Sequence, residues 1–188
     1  ILTKHFGIFS DHVIKFGLVK KNNTFIQSEP NRDILNTNEI TPPSISLTPE
    51  EERKGYDLLK KMYGINKNDK FVTITIRDSH YLKKNFKTQN FSYLDHRDCD
   101  VDRYLKGCDY LTNLGYYVFR MGSVANKKIN TSNIKIIDYA TDGTRTEFLD
   151  LFLGAKCEFC ITSGAGYDGI PFIFRKPLLL VSYTPYST

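Results

Sequence analysis

The sequence predicts an α/β fold in which a parallel sheet is covered by helices on both faces. Three observations carry this. Short β-branched and aromatic runs such as Phe71-Val72-Thr73-Ile74-Thr75-Ile76 have the make-up of buried strands. Between such runs, apolar residues recur at helical spacing; Val101, Tyr104, Leu105, Cys108 and Leu111 mark one buried face. The two kinds of segment alternate, and alternation argues for parallel strands joined by helical crossovers.

The totals suit one such domain. A chain of 188 residues can bury a sizeable core, and 40% hydrophobic with 25% charged residues is an ordinary globular balance. The net charge of +5 suits acidic ligands such as phosphates, or an anionic membrane surface, without demanding either. The longest apolar runs are too short to span a bilayer. The chain opens Ile-Leu-Thr-Lys, without an initiator Met or a signal peptide, and reads as a fragment or trimmed chain. Cys157 and Cys160 form a C-x-x-C, but Cys99 and Cys108 are too widely spaced to complete a zinc ribbon. Cys160 lies in the apolar run Phe159-Cys160-Ile161 and reads as a buried thiol. No metal is expected, nothing calls for disulfides, and a reducing, cytoplasmic compartment is the default.

In order, residues 1–47 read as an irregular N-terminal arm or the remnant of a preceding domain, with one strand over 12–19. Residues 48–188 form the α/β domain. Thr48-Pro49-Glu50-Glu51 is a capping box with Pro at the first helical position, and Gly64 stops that helix. Phe71–Arg77 is the first core strand. A long polar loop, Ser79 to Arg97, follows; loops of this length are functional or mobile. A helix beginning near Asp98 or Asp100 runs to Gly115, and Tyr116–Met121 is the second strand. A basic loop with Lys127 and Lys128 leads to a third strand, Ile134–Tyr139, with no helix between. That gap leaves the strand order open. Thr144-Arg145-Thr146-Glu147 is a second capping box, so Glu147 is a cap before it is anything else. A strand over Glu158–Thr162, a small-residue turn, a short helix around Ile170–Phe174 and a strand over Leu178–Tyr183 complete a Rossmann-like half.

In such a sheet, ligands bind just past the carboxyl ends of the strands. Arg77 and Asp78 stand there, as do Arg120 and Gly122 after the second strand and Asp138 after the third. The turn Thr162-Ser163-Gly164-Ala165-Gly166 leads into a helix and offers backbone N–H groups and hydroxyls to an anion. Two guanidiniums facing that turn would make a diphosphate site. The turn is neither a GxGxxG fingerprint nor a Walker loop, which disfavours a dinucleotide or ATP. Several residues have two readings. Arg77 and Asp78 could instead tie down a loop, and Asp78 could orient Arg77 or act as a base. Asp138 could accept from a ribose or base, or cap its loop. Tyr81 could stack on a ligand or pack its loop. His80 and His96 could serve as acid–base groups or stand idle.

At these residues the sequence resembles a family of bacterial glycosyltransferases. Its marks are a strand ending R-D-S-x-Y-L (here Arg77 to Leu82), a strand G-x-x-V-x-R-M-G (Gly115 to Gly122), and a late S-G followed by F-x-x-P (Ser163-Gly164, then Phe174 to Pro177). Arg97 to Tyr104 is similar to the family's R-N-x-x-I-x-x-Y segment, with Asp98 in place of Asn. The likeness runs from about Thr41 to Pro185. It implies a GT-B architecture of two Rossmann-like domains, of which this chain is the second, donor-binding half. The implied activity is transfer of a sugar from a nucleotide diphosphate sugar, GDP-linked by weak preference, to a glycan or lipid-linked acceptor. The chain is also distantly similar to the fucosyltransferases, where an Arg after a core strand grips the donor β-phosphate; Arg77 is the matching position. The resemblance implies a metal-independent reaction, no tightly bound cofactor and a cytoplasmic location, with peripheral attachment to the inner membrane face left open. Residues 1–47 do not hold a complete acceptor domain, so this chain alone is expected to lack the general base. The rival reading is a non-catalytic nucleotide-binding or interaction module. A third, nucleic-acid binding through Tyr81, Phe86, Phe91 and Tyr93 beside Lys83, Lys84 and Lys87, lacks any RNP or helix-turn-helix signature and is not expected.

Overall fold

The computed structural model describes residues 42–182 apart from 44 and 126. The chain divides into two units, Ile1–Thr41 and Pro42–Thr188, and the second carries everything below. The strand expected over 12–19 lies outside the described residues. So does Tyr183, the expected end of the last strand.

Five strands form one sheet: β1 (Phe71–Thr75), β2 (Tyr117–Arg120), β3 (Ile136–Ile137), β4 (Cys160–Thr162) and β5 (Leu178–Leu180). Every pairing is parallel, and the order is β3-β2-β1-β4-β5. The helices are α1 (Pro49–Tyr63), α2 (His80–Asn85), α3 (Leu105–Asn113), α4 (Glu147–Lys156) and α5 (Gly169–Ile173). This is the Rossmann-like α/β fold that the alternation predicts. The chain builds outward from β1 to one side, then crosses to the other with β4. That reversal opens a crevice at the carboxyl ends of β1 and β4.

The core is two layers, one on each face of the sheet. All five residues of β1 are buried, as a central parallel strand requires. Phe71, Phe119 and Ile137 pack with Leu59 of α1 and Leu149, Phe152 and Leu153 of α4. Their strand neighbours Val72, Val118 and Ile136 point the other way, towards Val101 and Cys108. α1 and α4 approach closely because Gly55 has no side chain: a Cβ there would lie 2.2 Å from the Phe152 ring.

The caps set where these helices begin. At α1 the expected box is present: Glu51 N–H donates to Thr48 Oγ1 at 3.3 Å, and Thr48 N–H donates to Glu51 Oε2 at 2.7 Å. Gly64 ends the helix with φ of 71°, in the left-handed region. At α4 the expected register is wrong by two residues. Thr146, not Thr144, is the cap, and its Oγ1 accepts from Leu149 N–H. The Tyr139 hydroxyl explains the shift. It accepts from Thr146 N–H at 2.9 Å and donates to Thr146 O at 3.1 Å, which holds Thr146 outside the helix. Thr144 Oγ1 is meanwhile taken up by Asp142 and Tyr63. Glu147 is therefore the first helical residue and no capping-box partner.

Three other expectations change. The helix expected from Asp98 or Asp100 starts as a 3-10 turn, Val101–Tyr104, because Asp100 Oδ1 takes the Asp102 N–H. The 79–97 segment is not irregular throughout; it holds α2 and a 3-10 turn over Ser92–Arg97. β3 is shorter than expected, with Ile134 outside it and 91% exposed.

Candidate active site

β1 and β4 end side by side, and the backbone just past them is stitched together. Ser163 N–H donates to Thr75 O at 3.2 Å. Arg77 N–H donates to Ser163 Oγ at 2.8 Å, and Arg77 O accepts from Cys99 N–H at 3.0 Å. Arg77 and the Ser163 turn, far apart in sequence, are thus fixed against each other at the switch point. A cleft of about 520 Å³ opens over them, within the range of small-ligand sites. Of the residues singled out in the sequence, Arg77, Asp78, Tyr81, Arg120, Gly122 and Gly166 line it.

Arg77 is the least satisfied charge at this edge. Its side chain is 15% exposed, and its Nε lies 3.4 Å from Asp98 Oδ1. Yet among the described residues neither Nε nor Nη2 has a hydrogen-bond partner, and neither does Asp98 Oδ1. Buried guanidinium donors are normally paired. Arg77 lines the cleft while these two donors stay buried, so the guanidinium would have to turn for both to grip an oxyanion there.

Arg120 is different. It is 4% exposed, and its Nη1 donates to Lys127 O at 2.6 Å and Asp138 Oδ1 at 3.1 Å. Asp138 also accepts from Ile129 N–H at 2.9 Å and Thr141 Oγ1 at 2.6 Å. These contacts place Asp138 as the cap of the loop between β2 and β3, with Arg120 as its counter-ion. Asp78 Oδ1 accepts from His80 N–H at 3.0 Å, starting α2. His96 is held to its own loop, its Nδ1 2.9 Å from Tyr93 O.

The donors of the small-residue turn are engaged within the fold. Thr162 is fully buried; its Oγ1 donates to Asp168 Oδ2 and accepts from Gly164 N–H at 3.0 Å and Ala165 N–H at 3.4 Å. Gly164, at φ of 80°, makes the bend that this loop needs. The expectation that Ser163 and Gly164 present their N–H groups outward is thus corrected: both bond inward. What the turn leaves facing the cleft is Ala165, Gly166 and Tyr167. A Cβ on Gly166 would meet nothing, so the surface there is open. Glu147 is exposed and does not line the cleft.

The structure adds three residues. Arg97 Nη2 donates to Gly164 O at 2.9 Å and holds the turn from above. Arg145 and Asp150 form an ion pair on the cleft wall. Burial raises the Asp150 carboxyl above its ordinary pKa, with Arg145 pulling the other way. Asp150 Oδ1 has no hydrogen-bond partner. The one sequence signal for this pair was its position at the start of a helix that follows a core strand.

Cys157 and Cys160 are fully buried, and burial pushes their thiols up to about 11 and about 12. The described residues hold no group of three or more His, Cys, Asp or Glu side chains placed to bind a metal ion. No helix among them is long and apolar enough to cross a membrane.

No family model matches this sequence, and no curated protein or solved structure is detectably similar to it.

Proposed function

We propose that this chain binds the diphosphate of a nucleotide diphosphate sugar at the switch-point cleft, as the donor-binding domain of a GT-B-type glycosyltransferase. One observation carries the reading: Arg77, at the carboxyl end of the central strand, lines the cleft, and two of its guanidinium donors, both buried, have no hydrogen-bond partner among the described residues. In the proposed reaction an acceptor oxygen attacks the anomeric carbon, and the bond from that carbon to the diphosphate breaks. Negative charge then builds on the departing phosphate oxygen. Arg77 would stabilise it, its backbone already pinned by Ser163 and Cys99. The nucleoside would lie along the wall that carries Gly122, Tyr81 and the Arg145–Asp150 pair. The acceptor on this reading is a glycan or a lipid-linked sugar.

A second reading, a nucleotide-binding module without catalysis, is favoured by the internally engaged Ser163 and Gly164 donors and by Asp98, which competes for Arg77. Calorimetric titration with GDP, UDP, ADP and CMP tests the shared claim. We expect saturable binding of one nucleoside diphosphate, with GDP weakly favoured, and a loss of at least about tenfold in Arg77→Ala, as for a charge-assisted bidentate contact. Folded protein that binds none of the four would overturn the donor site. Turnover of the matching nucleotide sugar by the intact parent protein then separates transferase from module.

A further inference from the structure

We infer that the segment after β1 is a docking surface for an anionic lipid bilayer. α2 ends at Phe86, and the chain then doubles back, with Gln89 N–H bonded to Phe86 O. This turn brings the Phe86 and Phe91 rings into an edge-to-face contact at 5.8 Å, with Tyr93 against Phe91 at 6.4 Å. The three rings belong to neither core layer. Phe86 is 42% and Tyr93 69% exposed, so this aromatic knob stands in water.

Around it lysines outnumber carboxylates, although Asp95 is exposed in the turn that carries Tyr93 and Lys83 also lines a cleft with Asp78, Asp98 and Asp100. Lys83, Lys84 and Lys87 are exposed, and no carboxylate pairs with them among the described residues. No Asp or Glu occurs from Ser79 to Leu94. Exposed aromatic rings beside unpaired lysines fit the headgroup region of a bilayer. The rings displace water at the acyl boundary, and the ammonium groups meet anionic headgroups. A single-stranded nucleic acid would also welcome lysines and aromatics, but it stacks on separate open ring faces. Here the rings pack on one another as a wedge. The same helix supplies Tyr81 and Leu82 to the cleft. Docking through this segment would therefore bring the cleft mouth to the membrane surface, which under the proposed function is where a lipid-linked acceptor sits. The membrane contact itself does not depend on that function.

The test is co-sedimentation of the 188-residue chain with two vesicle types, phosphatidylcholine alone and phosphatidylcholine carrying about a third phosphatidylserine. We expect binding to the anionic vesicles only, weakened by salt. Each lysine should be worth about fivefold, so Lys83→Gln/Lys84→Gln/Lys87→Gln should lose roughly a hundredfold. Phe86→Ser/Tyr93→Ser should also release the protein. These side chains lie outside both core layers, so thermal melts should match wild type, and a match makes the loss attributable to the surface. Arg77→Ala should still bind vesicles, which separates this inference from the donor site. Equal sedimentation with and without anionic lipid would overturn the inference. So would vesicle binding that survives both variants, or lysine-dependent binding of a single-stranded oligonucleotide without vesicle binding.

Discussion

Two donors of Arg77 lie buried without hydrogen-bond partners, and the nearest carboxylate, on Asp98, approaches only to 3.4 Å. The pair attracts without bonding, so Asp98 tunes Arg77 more than it satisfies it. An anion entering the cleft must compete with that carboxylate. Asp98→Asn keeps the shape and removes the charge, and it should tighten nucleoside diphosphate binding by about fivefold, roughly 1 kcal/mol for a partly exposed charge. Weaker binding in Asp98→Asn would mean instead that Asp98 orients Arg77 for its ligand. Residues of this kind are only half legible in a sequence. Arg77 stood out because a β-branched run broke into Arg-Asp. Arg145 and Asp150 did not, and Arg97 was legible only as the head of a motif segment, because what these residues face is decided by contacts between distant segments. The Ser163 turn misled because Thr162 folds its hydroxyl onto the Gly164 and Ala165 N–H groups, while the Ser163 N–H bonds across to Thr75 O.

Elements followed the sequence where one local signal acted alone, and departed from it where two competed. Thr48 and Glu51 cap α1 as written. Thr144 and Glu147 spell the same box, but a tertiary partner, Tyr139, claims Thr146 and moves the helix start. The packing of α1 on α4 is likewise invisible in either helix alone. Gly55 reads as a mild flaw in a helix, yet it is what lets Phe152 reach the sheet layer. Gly55→Ala would gain up to about 1 kcal/mol of helix propensity. Against this, its methyl would overlap an aromatic ring, at about 1–3 kcal/mol for overpacking. We expect net destabilisation, read as a lower midpoint in urea unfolding; an unchanged or higher midpoint would show that α1 can shift without cost.

For the whole molecule, the alternation of strands and helices gave the α/β class, but the strand order β3-β2-β1-β4-β5 was beyond it. Order depends on which side each crossover takes, and the helix-free connection from β2 to β3 carries no periodic signal. The fold also buries three thiols. Burial pushes Cys108 and Cys157 up to about 11 and Cys160 to about 12. In the unfolded chain a thiol ionises near its ordinary value, about 8.5. Between that pH and the folded values the unfolded state holds fewer protons, so stability must fall as pH rises. The slope is at most ~1.4 kcal/mol per pH unit for each thiol. Urea unfolding at about pH 8 and about pH 10 should show a marked loss at the higher value, reduced in Cys108→Ala relative to its own stability at the lower pH. A flat profile would mean that these thiols are not held protonated by burial.

We propose that Arg77 holds a diphosphate at the switch point. The most direct measurement is the ratio of affinities for a nucleoside diphosphate and the matching monophosphate, in wild type and in Arg77→Ala. A β-phosphate gripped by Arg77 predicts a clear preference for the diphosphate in wild type that collapses towards unity in the variant, while monophosphate binding is largely kept. A preference that survives the loss of Arg77, in a variant that remains folded, would place the diphosphate elsewhere.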